Sequence, residues 1–155
     1  MALGSLVKTL QNIMRKDAGI NGDAQRIEQM TWLFFLKIYD AKELEWEFHD
    51  DSYRSVIPER LRWHSWAHDA KDGKALTGDE LLDLVNNDLF KTLENLELAP
   101  EAPLCHVVVK AAFTDANNYM KDGILLRQVV NEIDGAVDFT EYKERHAFGE
   151  IYETI

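Results

Sequence analysis

Cysteine is nearly absent: Cys105 is the single one in 155 residues. One thiol cannot close an internal disulfide, and none stands near it to build a metal cluster. That usage predicts a reducing, cytoplasmic setting. Long apolar runs are missing too. The densest, Trp32 to Leu36, covers five residues, far short of a membrane span. Lys8, Arg15 and Lys16 interrupt the start of the chain, so no secretory leader is predicted there and no membrane is expected as a partner. Close glycine pairs are scarce as well. Gly19 and Gly22 form the one candidate, and they follow a helical pattern, not a strand. They read as turn punctuation, and no glycine loop for a nucleotide or other cofactor is legible. There is no Walker sequence and no glycine-framed serine.

Positive charge is in deficit, with 17 basic against 28 acidic side chains and a net charge of −11. A chain so acidic is a poor wrapper of nucleic acid by itself, because phosphates call for cations. The deficit is uneven. Residues 1–75 hold 11 basic and 12 acidic side chains, whereas 76–155 hold 6 and 16. Any face that meets DNA is therefore expected from the first half, and the second half reads as an acidic solvated surface.

What is present is helical periodicity and enough apolar material, 46% of residues, for a true core. An amphipathic helix is predicted over Leu3 to Lys16, with Leu6, Leu10 and Ile13 on one stripe. The turn residues 17–22 break it, and Asn21 or Asp23 can cap the next helix. That helix, Asp23 to Phe48, is the strongest element. Its apolar positions run around most of its middle, which predicts burial on several sides. Lys42, Glu43, Glu45 and Glu47 are expected to mark its emergence into water. Pro58 opens a short helix from Glu59 to about Ala67, and a loop covers Asp69 to Gly78. Thr77 and Glu80 form a capping-box pattern for a helix reaching about Leu96, with Leu82, Val85, Leu89, Leu93 and Leu96 aligned. Leu104 to Phe113 fits strand or helix. Val107-Val108-Val109 favours a strand, yet no partner strand is visible, so helix is preferred. A further helix follows Gly123, with Ile124, Leu125, Val129 and Ile133 inward, and stops near Gly135. A last one begins after Thr140 and shows no stop signal, which suggests a piece of something longer. The predicted architecture is a single all-α, bundle-like domain of roughly five to seven helices, with no linker to divide it.

Three groupings were weighed for chemistry. His64 and His68 lie four apart, as helical metal ligands often do, but a third ligand is missing and they read as a surface pair. Cys105 and His106 are sequence neighbours, which rarely face each other on a helix. Trp63 and Trp66, with Arg60 and Arg62 nearby, fit either a stacking platform for nucleic acid or the packing of one helix against the bundle. Packing is the preferred reading, with the arginines outside.

Two long stretches carry a specific resemblance. RKDAGINGDAQRIEQMTWLFFLKIYDAKELEWE at 15–47 and FTDANNYMKDGILLRQVVNEID at 113–134 resemble the N-terminal region of the modification subunit in type I restriction–modification systems, as does RWHSWA at 62–67. The resemblance implies a helical domain preceding a core that binds S-adenosylmethionine and methylates adenine at N6. It also implies a specificity subunit, a second modification subunit, a restriction subunit and double-stranded DNA as partners. The family's cofactor glycines and proline-containing catalytic loop fit no residue here; Pro58, Pro100 and Pro103 are all isolated. No catalytic, cofactor or metal residue is therefore carried over, and turnover by this chain alone is not expected. The role implied is to help close around DNA and to join subunits, with Lys8, Arg15, Lys16 and Arg26 as phosphate contacts and Arg60 and Arg62 as further candidates. The competing role is a docking module for the specificity subunit that never touches DNA.

Overall fold

The computed structural model describes residues 3–68 and 75–136. Among the described residues there is no strand, and helix follows helix around one core. Helix α1 spans Leu3–Met14 and α2 spans Gly22–His49. A 3₁₀ turn at Glu59–Leu61 and the single α-turn α3, Trp63–Trp66, come next. Helix α4, Gly78–Asp83, runs through a π segment at Leu84–Leu89 into α5, Phe90–Glu94. Helices α6, Leu104–Thr114, and α7, Gly123–Ala136, complete the set. None of these is long and apolar enough to cross a membrane. The final helix expected after Thr140 and most of the loop at 69–78 lie outside the described residues.

Helix α2 is the axis. Met30, Trp32, Leu33, Phe34, Leu36, Tyr39 and Ala41 are all buried, at positions that go right round the helix, because α3, α6 and α7 each pack on it. Helices α1 and α4 then pack on α7, and α5 packs on α6. The predicted Asn21 cap makes no side-chain bond; instead its backbone N–H donates to Gln25 Oε1 at 2.7 Å. The expected Thr77 cap bond is likewise absent.

The leucine stripe of the fourth helical run shows why a π segment forms. Leu81, Val85, Leu89 and Leu93 are the fully buried positions. A spacing of four at every step drifts off one face of a 3.6-residue helix, and a wider π turn brings it back. The predicted stripe named Leu82 and Leu96, which are only partly covered. Helix α7 is similarly rotated from expectation. Leu126, Val129, Val130 and Ile133 are fully buried, while Ile124 is 59% exposed. Gly123 explains the rotation: a Cβ there would lie 1.9 Å from the Gly78 carbonyl oxygen, so the starts of α4 and α7 touch through backbone. That approach turns the first residues of α7 outward. Helix α6 settles the Leu104 to Phe113 ambiguity: a strand has nothing to pair with, whereas a helix brings Val109 and Phe113 inward. Phe113 meets Phe90 edge-on at 5.1 Å and Phe35 at 6.2 Å.

Candidate nucleic-acid interface

The six basic residues singled out from sequence fall into two groups. Lys8, Arg15 and Lys16 are exposed on α1 and the turn after it. Lys8 and Arg15 are seven apart, two turns along one helix face and about 10 Å in rise. Arg15 shares a bond with the Asn12 amide at 2.8 Å, and none of the three has a carboxylate partner among the described residues. These are cations available to an anion.

The other three are engaged. Arg26 pairs with Asp23 one turn earlier on α2, with its side chain 14% exposed. Arg60 lays its guanidinium fork on Asp88 of the π segment, with bonds of 3.1 and 2.8 Å. That pairing holds the Asp88 carboxyl below its ordinary value. Arg62 departs furthest from the expectation that it would lie outside, because it is 4% exposed. The 3₁₀ turn ends there with extended backbone, which drives its side chain toward α2. The predicted helix Glu59 to Ala67 is broken at that point.

Around Arg62 the chain collects four carboxylates. Its terminal nitrogens donate to Glu47 at 2.7 Å and to Glu59 at 3.2 Å, while its Nε faces Glu43 at 3.6 Å and Asp40 at 3.8 Å. Glu43, expected in water, is fully buried and accepts from the Tyr53 hydroxyl at 2.6 Å. His64 closes the ring: Nδ1 lies 2.8 Å from Asp40 and Nε2 2.9 Å from Glu59. Both nitrogens face carboxylate oxygens, which requires a proton on each. Burial lowers the affinity of this imidazole for its proton, but the bonds to Glu59 and Asp40 outweigh it and raise the pKa above the ordinary 6.5. The bond from Arg62 holds Glu47 below the usual carboxylate range, and the bond from His64 does so for Glu59. Two cations thus serve four anions in a seam that joins α2 to the 58–67 segment. A charge already so surrounded has no reason to leave for a phosphate.

Two other acids, Asp134 partly buried and Asp17 fully so, pin the architecture. Asp134 of α7 accepts from the Trp63 indole at 2.8 Å, from His68 at 2.7 Å and from Lys37 at 3.3 Å. The two histidines therefore serve different carboxylates, and among the described residues no cluster could hold a metal. Asp17, 3% exposed, accepts backbone N–H groups from Gly19, Lys121 and Asp122 at 2.8–3.1 Å. Asp122 then caps α7 through the N–H groups of Ile124 and Leu125. Gln29, fully buried, reads the same loop, donating to Asn118 and accepting from the Tyr119 N–H. The 113–122 stretch thus fixes the turn that presents Arg15 and Lys16. Trp63 and Trp66 are buried and meet edge-on at 5.5 Å, so they pack the bundle. They form no exposed platform.

Known proteins match this arrangement. The HsdM N-terminal domain family matches residues 3–133. The type I restriction enzyme EcoEI methylase subunit of Escherichia coli is 52% identical over all 155 residues, which cover 31% of that protein. The crystal structure of a type I restriction enzyme modification subunit from Vibrio vulnificus YJ016 superposes with a TM-score of 0.82 at 36% identity, over 98% of this chain and 34% of that one. A chain from a structural study of complex assembly and conformational transition in the type I restriction–modification system superposes at 0.78 and 26% identity, over 97% of this chain and 29% of that one. The chain spans about a third of the length of each relative. With a family match over residues 3–133 and relatives that share the helical fold, the chain belongs to the HsdM N-terminal domain family of type I restriction–modification methylase subunits.

Proposed function

We propose that this chain is the part of an adenine-N6 DNA methyltransferase subunit that helps to close on double-stranded DNA and to join the subunits of a type I complex in the cytoplasm. S-adenosylmethionine and the reacting base belong, in this reading, to the remainder of the subunit. The specificity subunit, a second modification subunit and a restriction subunit are its partners. Methylating a base requires taking it out of the stack, and the duplex must be held while that happens. One observation carries the reading: Lys8, Arg15 and Lys16 stand exposed, with no carboxylate partner among the described residues, in a chain whose net charge is −11. Reversing Arg15 and Lys16 to Glu in the full-length subunit, assembled with its partners, is expected to weaken DNA binding and flatten its salt dependence. Unchanged affinity and slope contradict it.

A second reading, docking on the specificity subunit without DNA contact, draws support from the engaged arginines. Arg26 and Arg60 are matched by aspartates and Arg62 is buried, which leaves half of the candidate cations available. Under it, the same reversal leaves DNA affinity alone and weakens subunit association.

A further inference from the structure

Helix α6 is apolar on two faces, but the bundle uses one. Val109 and Phe113 point inward, while Leu104 is 77% exposed, Val107 43% and Val108 41%, and Ala111 is exposed beside them. Positions 104, 107, 108 and 111 make one continuous stripe along about 10 Å of helix. The stripe does not end on open surface. Ala112 lies one turn on from Val108, and with Asp115 and Ala116, just past the end of α6, it lines a cleft of about 340 Å³ together with Ile27, Thr31 and Trp32 of α2. Trp32 is 1% exposed, and its indole N–H has no acceptor among the described residues. Its rim is acidic: Glu28 and Asp115 line it, and Asp115 has no cationic partner among the described residues. Lys110, the lysine of α6, is turned away to the Leu96 carbonyl at 2.7 Å.

We propose that the outer face of α6 and the cleft beside Trp32 form a groove for an amphipathic helix of a different protein chain, one that seats an apolar side chain in the cleft and a Lys or Arg against Glu28 and Asp115. A helix laid in a groove is read through anchors at i, i+3, i+4 and i+7, the spacing that the α6 stripe itself presents. Charge selects the occupant. A second copy would bring another Glu28 and Asp115 and another net charge of −11 to the contact, so like would face like. A partner helix with basic flanks neutralises the rim. This inference rests on the subunit-joining half of the proposed function and uses neither DNA nor the cations of α1.

Two synthetic 15-residue helical peptides test it, both with Leu at i, i+3, i+4 and i+7, one flanked by Lys and the other by Glu. Each is titrated into the 155-residue chain while the Trp32 indole N–H resonance is followed by NMR. The basic peptide is expected to shift that resonance and to bind at least tenfold more tightly than the acidic one. Val108→Asp, and separately Val107→Asp, is expected to weaken it at least tenfold with an unchanged thermal melt. Equal binding of the two peptides, no binding at millimolar concentration, or indifference to both substitutions overturns the proposal. So does a dimer in sedimentation that Val108→Asp dissolves, since a second copy then owns the face. Loss of this groove leaves the DNA test above untouched, and failure of the DNA test leaves the groove.

Discussion

Arg15 and Arg62 are the same side chain in opposite circumstances. Arg15 ends α1 in water with an asparagine beside it, whereas Arg62 sits in a seam with Asp40, Glu43, Glu47 and Glu59 around it. A count of charges treats them alike. Their surroundings give them different work: Arg62 fastens the 58–67 segment to α2, and Arg15 is left with charge to offer. The difference teaches that, in an acidic chain, a cation's availability depends on which carboxylates the fold brings to it, not on how many basic residues lie nearby.

The comparison can be broken most forcefully from inside. Arg62→Met leaves Glu43 buried without its counter-charge and Asp40 with His64 alone, and is expected to cost about 3–5 kcal/mol of unfolding free energy in urea. A cost below about 1 kcal/mol means the seam is solvated and the contrast with Arg15 fails. Next comes Asp134→Ala, which orphans the Trp63 indole and removes the acceptor of His68 and Lys37. A loss of about 2 kcal/mol is expected by the same measurement.

A pH series sharpens the account of the seam. His64 has a pKa raised above 6.5 in the folded state, so its contribution is complete below about pH 6.5 and disappears as pH climbs through the folded value. Glu47, Glu59 and Asp134 are depressed, so theirs is complete above the ordinary carboxylate range and disappears as pH falls through the depressed values. Urea midpoints should decline on both sides, and His64→Gln should flatten the alkaline limb while removing only Glu59's share of the acid limb. If the alkaline limb persists, His64 is not the group responsible. The smallest effect belongs to the outer cations: Arg15→Ala and Lys16→Ala should each change stability by no more than about 0.5 kcal/mol. A larger loss would make α1's cations structural, like Arg62.

The helices themselves were legible because their apolar period is strong. The span of α2 read from sequence lies within a residue of Gly22–His49. What sequence missed was polar and interior. Asp17, Gln29, Asp40 and Glu43 are buried because other segments bring partners to them, 24 positions away for Asp40 and 90 to 105 for Gln29 and Asp17, and local periodicity contains no information about such residues. A signal did exist for the seam: Asp40, Glu43 and Glu47 share one face of α2, and Arg62 lies between Leu61 and Trp63, both buried. Val85, Leu89, Leu93, Val129 and Ile133 are buried as expected, but Leu81 is inward in place of Leu82 and Ile124 faces outward, since a π segment and the contact of Gly78 with Gly123 each rotate a helix in a way that a 3.6-residue wheel does not represent. Of the interface candidates, Lys8, Arg15 and Lys16 lie where a phosphate could reach them, and Arg62 does not.

The central claim is that α1 offers its charge outward to DNA. The direct measurement is the salt dependence of DNA binding by the full-length subunit, assembled with its partners, before and after Lys8, Arg15 and Lys16 are changed together to Ala. Each phosphate contact contributes about 0.9 to the slope of log K against log salt, so the slope should shrink by roughly 2 to 3. An unaltered slope, with the complex intact, would contradict the account.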